Sequence, residues 1–484
     1  MISTLENSNS SQNLPHTATK IVATLGPSSS NFTAIKDLFN AGVNVFRLNF
    51  SHGSHNDHAR TIDNIRQLEK EVGSPITIMA DLQGPKLRVG KIGEDAKLEQ
   101  GQSYQLHLNS VEGNNQQAQL PHENIFAVAE VGHRLLVDDG KIALTIAKVE
   151  PHILHTEVTV AGTIKSNKGV NVPDATLDIK SLTEKDKQDL AFAIEKKIYI
   201  FALSFVQKAE DIAYLRATAG VPIKIVSKLE KPAALQDLEN IISASDAVMV
   251  ARGDLGVELS PSSVPAAQRR IIRVSRQQGK PVIVATQMLE SMTDLPTPTR
   301  AEASDVANAV YSGVDAVMLS GETAAGKYPL ETVKMMKDII FQAEADEETH
   351  TIENEPETHH ANSCQKVSQS VSRAVKTLSE TLDCHSIASF TTSGSTCIAI
   401  ARERPSAKQI ALTAQRETAR FLSFVWGAKS IVTHDASNLE DMSSIVEMTL
   451  LQGKHAQEGD LVVITAGVPF GSPGRTNLLH IKRL

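Results

Sequence analysis

From Thr19 onward, short apolar runs alternate with segments whose apolar residues recur at helical spacing. The runs are KIVATLGP (20–27), NVFRLNF (44–50), ITIMADL (76–82), IYIFALSF (198–205), KIVSKLE (224–230), AVMVARGD (247–254), VIVATQM (282–288) and AVMLSGE (316–322). They are rich in β-branched residues and scarcely alternate with polar ones, as expected of strands covered on both faces of a parallel sheet. Between them, Phe32, Ile35, Leu38 and Phe39 share a helical face that stops at Gly42. Pro232 opens a helix carrying Leu235, Leu238, Ile241 and Ile242, and Val306 and Val310 stand four apart before Gly313. Eight such units closing on themselves predict a (β/α)8 TIM barrel of about 250 residues. An open doubly wound sheet shares the pattern, and periodicity alone does not separate the two.

The pattern breaks between about Lys86 and Val172, where short alternating strands and polar turns take over. In RLLVDDGKIALTIAKV (134–149), DDGK marks a tight turn. This predicts a small β-barrel-like domain at 86–171, inserted into a barrel made of 18–85 and 172–345. Residues 1–17 read as a flexible tail. An acidic, His-containing linker, EADEETHTIENEPETHH (344–360), leads into a separate α/β domain over 346–484.

Composition narrows the function classes. A chain of 484 residues is too long for one hydrophobic core and suits about three domains. A net charge of −8 argues against a nucleic-acid or anionic-membrane partner. No run approaches the ~20 apolar residues of a membrane span, and the Ser- and Asn-rich start lacks the apolar core of a signal peptide. Cys364, Cys384 and Cys397 fit neither a disulfide framework nor zinc-ligand spacing. A cytoplasmic protein with reduced thiols is the expectation. Any site for an anionic substrate must therefore gather its positive charge locally.

The strand ends supply that charge. In barrels, chemistry sits at the C-terminal ends of the strands. Here those ends carry Arg47, Asn49 and Ser51; Asp81; Lys228 and Glu230; Arg252 and Asp254; Thr286; and Ser320 and Glu322. Each alone reads as a loop residue or helix cap, but six polar strand ends meeting on one face read as a site. Glu230 and Asp254 are hard oxygen donors suited to Mg2+ or Mn2+. Lys228, two residues before Glu230, points to the same face of an extended strand. An ammonium beside a metal suits a phosphoryl group in transfer, where positioning and charge neutralisation provide the rate. Arg47 and Arg88 offer forked donors to phosphate, and Gly253 lets backbone N–H groups approach an anion. GETAAGKY (321–328) imitates a P-loop, but Tyr328 replaces the metal-binding hydroxyl and Pro329 follows at once.

These segments resemble the signatures of the pyruvate kinases, in their bacterial-type form. The resemblance rests on RLNFSHG (47–53), KIVSKLE, MVARGDLGVEL (249–259), ATQMLESM (285–292) and MLSGETA (318–324), and it runs in order from about residue 18 to the C-terminus. It implies transfer of the phosphoryl group of phosphoenolpyruvate to ADP, giving pyruvate and ATP. Lys228 would stabilise the phosphoryl group, and Glu230 and Asp254 would bind the divalent metal. Gly253, Asp254 and Thr286 would hold the substrate carboxylate, and Arg47 and Arg88 would contact phosphates. Thr286 and Ser320 would lie on a water-borne route for the proton to C3. The inserted domain would close as a lid that excludes water.

One departure stands out. Many members carry DTKGPEIR and need K+, held by the equivalents of Asn49, Ser51, Asp81 and the backbone of Leu82. This chain reads DLQGPKLR (81–88), with Lys86 in place of Glu. The exchange adds two units of positive charge beside the site, so K+ is expected not to be required.

The C-terminal domain resembles the family's regulatory domain. TTSGST, that is Thr391, Thr392, Ser393, Gly394, Ser395 and Thr396, lies between a strand and the helix CIAIARER and is a candidate phosphate site for an effector. The loop TAGVPFGSPGRTN (465–477) would close over it. Where Trp426 stands, relatives often have Arg, so a sugar phosphate or a nucleotide monophosphate fits equally well. The resemblance also implies a homotetramer. Two other readings stay open: a metal-dependent pyruvate lyase or aldolase on the same barrel, and a non-catalytic phosphosugar sensor.

Overall fold

The structure, a computed structural model, describes residues 17–175, 177, 179–346, 363–469 and 476–484, with side chains from 366 in the helix that opens at Ser363. The expected tail, nearly all of the acidic linker and the centre of the 465–477 loop lie outside the described residues.

The first three apolar runs form β1 (Lys20–Leu25), β2 (Val45–Asn49) and β3 (Thr77–Asp81), and every residue of β1 and β3 is buried. The helix Phe32–Ala41 links β1 to β2; Asn31 caps its start, and Gly42, at φ 120°, ends it. A Ser54/Asp57 capping box starts the helix His55–Val72.

The inserted domain follows. Its strands are β4 (Ala96–Leu98), β5 (Ser103–His107), β6 (Gln117–Gln119), β7 (Arg134–Val137), β8 (Ile142–Glu150), β9 (Ile153–Val160), β10 (Gly162–Ile164) and β11 (Val170–Asn171). Six of them form a sheet in the order β11-β7-β8-β9-β5-β6, and β10 pairs with β4. The DDGK turn joins β7 to β8 with Asp138, Asp139 and Gly140 all at positive φ (53°, 56° and 83°). The domain has its own apolar core around Tyr104, Leu135, Leu144 and Leu154.

The chain then returns to the barrel with β12 (Ile200–Leu203), β13 (Lys224–Leu229), β14 (Ala247–Ala251), β15 (Val282–Ala285) and β16 (Ala316–Leu319). The eight parallel strands close in the order β1-β16-β15-β14-β13-β12-β3-β2. Closure excludes the open doubly wound sheet. The helix expected after Pro232 is two short ones, Pro232–Gln236 and Leu238–Ala244. They break at Asp237, whose carboxylate accepts the Ala209 N–H at 3.0 Å and an Asn240 amide hydrogen at 2.6 Å. That side chain caps a neighbouring helix, and this competes with continuing its own.

The last sheet runs β19 (Ala428–Val432), β18 (Lys408–Thr413), β17 (Ser386–Phe390), β20 (Leu461–Ala466) and β21 (Leu478–Arg483), with β21 antiparallel. This domain closes the floor of the barrel. Phe421 and Phe424 join the apolar layer made by Val22, Met79, Val226 and Met249 inside the strands. Around that plug, Thr77 donates to Arg420 O at 2.6 Å, Arg420 pairs with Glu69 at 2.7 Å, and Lys20 donates to Ala428 O at 2.8 Å. Arg404 pairs with Asp315 at 3.2 Å and lies 4.7 Å from the Trp426 ring centroid.

Candidate active site at the mouth of the barrel

At the opposite end, β2, β3 and β13 bring charged side chains together where the apolar strands stop, with polar groups following β12. Arg47 Nε donates to Asp81 Oδ2 at 2.7 Å, and a terminal nitrogen of Arg47 donates to Thr24 Oγ1 at 2.9 Å. The Lys228 ammonium lies 2.8 Å from Glu230 Oε1 and 3.5 Å from Asp81 Oδ1, and donates to Ser204 Oγ at 2.8 Å. Ser204 in turn donates to Leu82 O at 2.7 Å. Glu230 Oε2 accepts the Phe205 N–H at 2.8 Å. Asp81 and Glu230 are almost wholly buried, at 1% and 0% exposure.

The protonation states follow from this packing. Burial works against the Lys228 ammonium, but the Asp81 and Glu230 carboxylates outweigh it and hold its pKa above the ordinary lysine value. Asp81 is held below the usual carboxylate range, because Lys228 and Arg47 overcome the cost of its burial. Glu230 is pushed up, first by burial and then, against the pull of Lys228, by repulsion from Asp254. A buried carboxylate raised partly by a second carboxylate is relieved when a divalent cation bridges them, so Glu230 and Asp254 fit a metal. Among the described residues no group of three His, Cys, Asp or Glu side chains could hold a metal ion. Waters or substrate oxygens would have to complete the shell, which suits Mg2+ or Mn2+.

Asp254 lies in the first turn of the helix Arg252–Glu258, which begins directly after β14. Arg252 fixes the neighbouring loop: it pairs with Asp305 and donates to Thr286 O at 2.6 Å. Thr286 and Gln287 are thereby held at φ 71° and 53°, a conformation costly for residues with a Cβ and typical of functional loops. The Gly253 N–H donates to Thr286 Oγ1 at 2.8 Å, so two expected carboxylate-binding groups touch each other here. The Ser320 hydroxyl oxygen is buried and has no hydrogen-bond partner among the described residues, while the Ser320 N–H donates to Glu322 at 2.7 Å.

Other expected site residues stand apart. Arg88 is exposed and donates to Asn167 O at 2.9 Å on the inserted domain. The Lys86 ammonium lies 3.9 Å from Asp139 in the DDGK turn. No ion pair or hydrogen bond found among the described residues joins it to Asn49, Ser51 or Asp81. It does line, with Asp254, a cavity of about 170 Å³ between the inserted domain and the barrel. Asn49 Oδ1 accepts the Ser51 N–H at 3.1 Å, and Ser51 is exposed.

In the C-terminal loop, Thr391 Oγ1 accepts the Gly394 N–H at 2.9 Å and Thr396 Oγ1 is bonded to Thr476 at 2.9 Å. Ser393 and Ser395 face solvent. Trp426 packs on Arg404, and its backbone N–H donates to Asp315 at 3.2 Å. Its indole thus stacks on the arginine that pairs with Asp315 across the barrel–domain contact.

Ser204, Thr24 and the Phe205 N–H also belong to the site, though none is among the strand-end residues expected from the sequence. Ser204 was the most legible of these, being a hydroxyl at the end of the run IYIFALSF. Gly84 shows why its neighbourhood is tight: at φ 70°, a Cβ there would meet Phe205 at 2.8 Å and Ser204 at 3.0 Å.

Comparison with known proteins agrees with this geometry. Residues 16–333 match the family model described as "Pyruvate kinase, barrel domain", and residues 369–482 match "Pyruvate kinase, alpha/beta domain". A pyruvate kinase of Methylorubrum extorquens is 46% identical over 468 residues, 96% of each chain. One from Agrobacterium vitis is 44% identical over the same length, again 96% of each chain. A crystal structure of a pyruvate kinase from Cryptosporidium parvum superposes with a TM-score of 0.88 at 32% identity, covering 96% of each chain. A closed barrel with a charged mouth, family matches on both sides of the linker and near full-length relatives place the chain in the pyruvate kinase family of phosphotransferases.

Proposed function

We propose that this chain transfers the phosphoryl group of phosphoenolpyruvate to ADP, forming pyruvate and ATP. The carrying observation is the Lys228 ammonium, held between the buried carboxylates of Asp81 and Glu230 and kept protonated by them. In the reaction, the bond between phosphorus and the bridging enol oxygen breaks and one to a terminal ADP oxygen forms. The enolate left behind takes a proton at C3. Lys228 opposes the charge on the phosphoryl oxygens in flight. Arg47, oriented by Asp81 and Thr24, aims donors at phosphate, with Arg88 joining when the lid closes. Gly253, Asp254 and Thr286 hold the substrate carboxylate once the Gly253–Thr286 bond opens. Ser320, with its hydroxyl uncommitted, holds a proton-delivering water. A divalent ion, Mg2+ or Mn2+, on Glu230 and Asp254 supplies positive charge for the phosphate oxygens.

The same reading takes K+ as dispensable, because Lys86 brings a positive charge into the cavity that Asp254 also lines. It places the enzyme in the cytoplasm as a homotetramer, with a phosphorylated effector at 391–396 held by Ser393 and Ser395. A pyruvate lyase would have no use for ADP, and a phosphosugar sensor would leave the barrel mouth unexplained. The test is pyruvate formation from phosphoenolpyruvate, ADP and Mg2+ in buffer free of Na+ and K+, for wild type and Lys86→Glu. Wild type should turn over without K+, and the variant should need it. Wild-type activity that falls by orders of magnitude without K+ overturns the role of Lys86, and absence of ADP-dependent turnover overturns the kinase reading.

A further inference from the structure

The helix Arg252–Glu258 starts with Gly253 and Asp254 and ends on a second acid, Glu258, which is only 5% exposed. Four residues after Asp254, Glu258 lies on the same helix face one turn on. Its Oε1 pairs with the Lys231 ammonium and accepts an amide hydrogen of Asn171 at 2.6 Å. Lys231 directly follows Glu230. Asn171 belongs to β11, at the root of the inserted domain, in register with Leu136 of β7. One buried carboxylate thus ties together the helix bearing Asp254, the neighbour of Glu230 and the inserted domain. The same domain meets that helix again at the DDGK turn, where a Cβ on Gly140 would lie 4.0 Å from Val257 Cγ1. Beside these contacts lies the cavity of about 170 Å³ lined by Lys86, Asn171, Phe205, Lys231, Asp254 and Glu258.

We propose that Glu258, Lys231 and Asn171 form a latch through which the position of the inserted domain sets the spacing of Glu230 and Asp254. They are positioning residues, acting through the two carboxylates and not on substrate. The proposal rests on the reading of Glu230 and Asp254 as a divalent-metal pair. Lys231–Glu258 is the fixed half of the latch, since removing either charge strands the other in a largely buried place. Asn171 is the movable half: its loss leaves the ion pair whole but frees the domain. Groups that orient metal ligands commonly change metal affinity by about 10- to 100-fold when altered.

The test uses the full chain as wild type, Asn171→Ala, Glu258→Gln and Glu230→Gln. Hydrogen exchange is followed on metal-free protein, and Mn2+ binding by electron paramagnetic resonance with and without phosphoenolpyruvate. Asn171→Ala should speed exchange about tenfold in β7, β11 and the helix Arg252–Glu258. Phosphoenolpyruvate should tighten Mn2+ binding to wild type; Asn171→Ala should bind Mn2+ alone within about twofold of wild type, yet lose that tightening. Glu258→Gln should weaken Mn2+ binding about tenfold even without substrate. Unchanged exchange in Asn171→Ala, or faster exchange with the tightening intact, overturns the latch. Mn2+ binding that survives Glu230→Gln overturns the metal reading itself, whichever way the latch variants behave.

Discussion

The two ends of the barrel are built from the same strands and differ in what faces inward. At the floor, Met79, Val226 and Met249 meet Phe421 and Phe424 in an apolar layer. Two residues further along, β3 presents Asp81 and β13 presents Lys228, and Glu230 follows just beyond the strand. Inward-facing positions recur every second residue, so a strand four to six residues long reaches from core to site. The floor gains stability from apolar burial and from a second domain seated against it. The mouth holds charges that would be costly to bury unless each met an opposite partner. Substitutions at the floor should therefore act on folding, and those at the mouth on rate.

The strongest test of the floor is Phe421→Ala. Phe421 is 1% exposed, and removing a buried Phe side chain costs about 3–5 kcal/mol. Urea unfolding should show that loss, with turnover of the remaining folded protein nearly unchanged. Asp315→Asn cuts the ion pair that docks the C-terminal domain and leaves the Arg404 guanidinium buried without its partner. A loss of about 3 kcal/mol is expected, visible as an early change in the fluorescence of Trp426, the chain's single tryptophan. At the mouth, Ser320→Ala removes a hydroxyl that bonds nothing among the described residues. Thermal unfolding should stay where it is, while pyruvate release falls about 100-fold, the usual scale for losing a positioned proton route. An unchanged rate would remove Ser320 from that route.

The smallest expected effect comes from Lys20, whose ammonium crosses from barrel to C-terminal domain. Burial lowers its pKa to about 8, although Glu344, Cys397 and Asp315 oppose that and Lys429 adds to it. Unfolded, it titrates near 10.5, so the unfolded chain binds more protons as pH rises through 8 and stability should increase there. Burial also pushes the Cys397 thiol up to about 12 from 9.0. Above pH 9 the unfolded chain therefore loses a proton that the folded one keeps, and this opposes further gain. Between pH 8 and 9 the net rise should be on the order of 1 kcal/mol. Unfolding of Lys20→Met across that interval should lack it, and an equal rise in both proteins would exclude Lys20 as the source.

The barrel was legible because each of its strands is buried on both faces, which leaves an unbroken apolar run ending in a polar residue. Lys228 and Glu230 could be paired from the two-residue period alone, and Asp254 from its place after β14. What could not be read were contacts between segments distant in the chain. Ser204 reaches Lys228 and Leu82, and Asn171 reaches Glu258, through closure of the barrel and docking of the inserted domain, which no local pattern encodes. Asp237 broke a helix for the sake of a neighbour's N-terminus. Thr391 and Thr396 spend their hydroxyls inside their own domain, and Trp426 turns to Arg404, because side chains in the C-terminal domain also serve the seat on the barrel floor.

The most direct test of the division between mouth and floor is the rate of pyruvate formation by Lys228→Met at saturating phosphoenolpyruvate, ADP and Mg2+. The protein should first be shown to be folded by the Trp426 emission of wild type. A fall of about 1,000-fold or more is expected, since the variant loses the charge proposed to oppose the phosphoryl oxygens. A folded variant that keeps its rate within about tenfold would contradict the account.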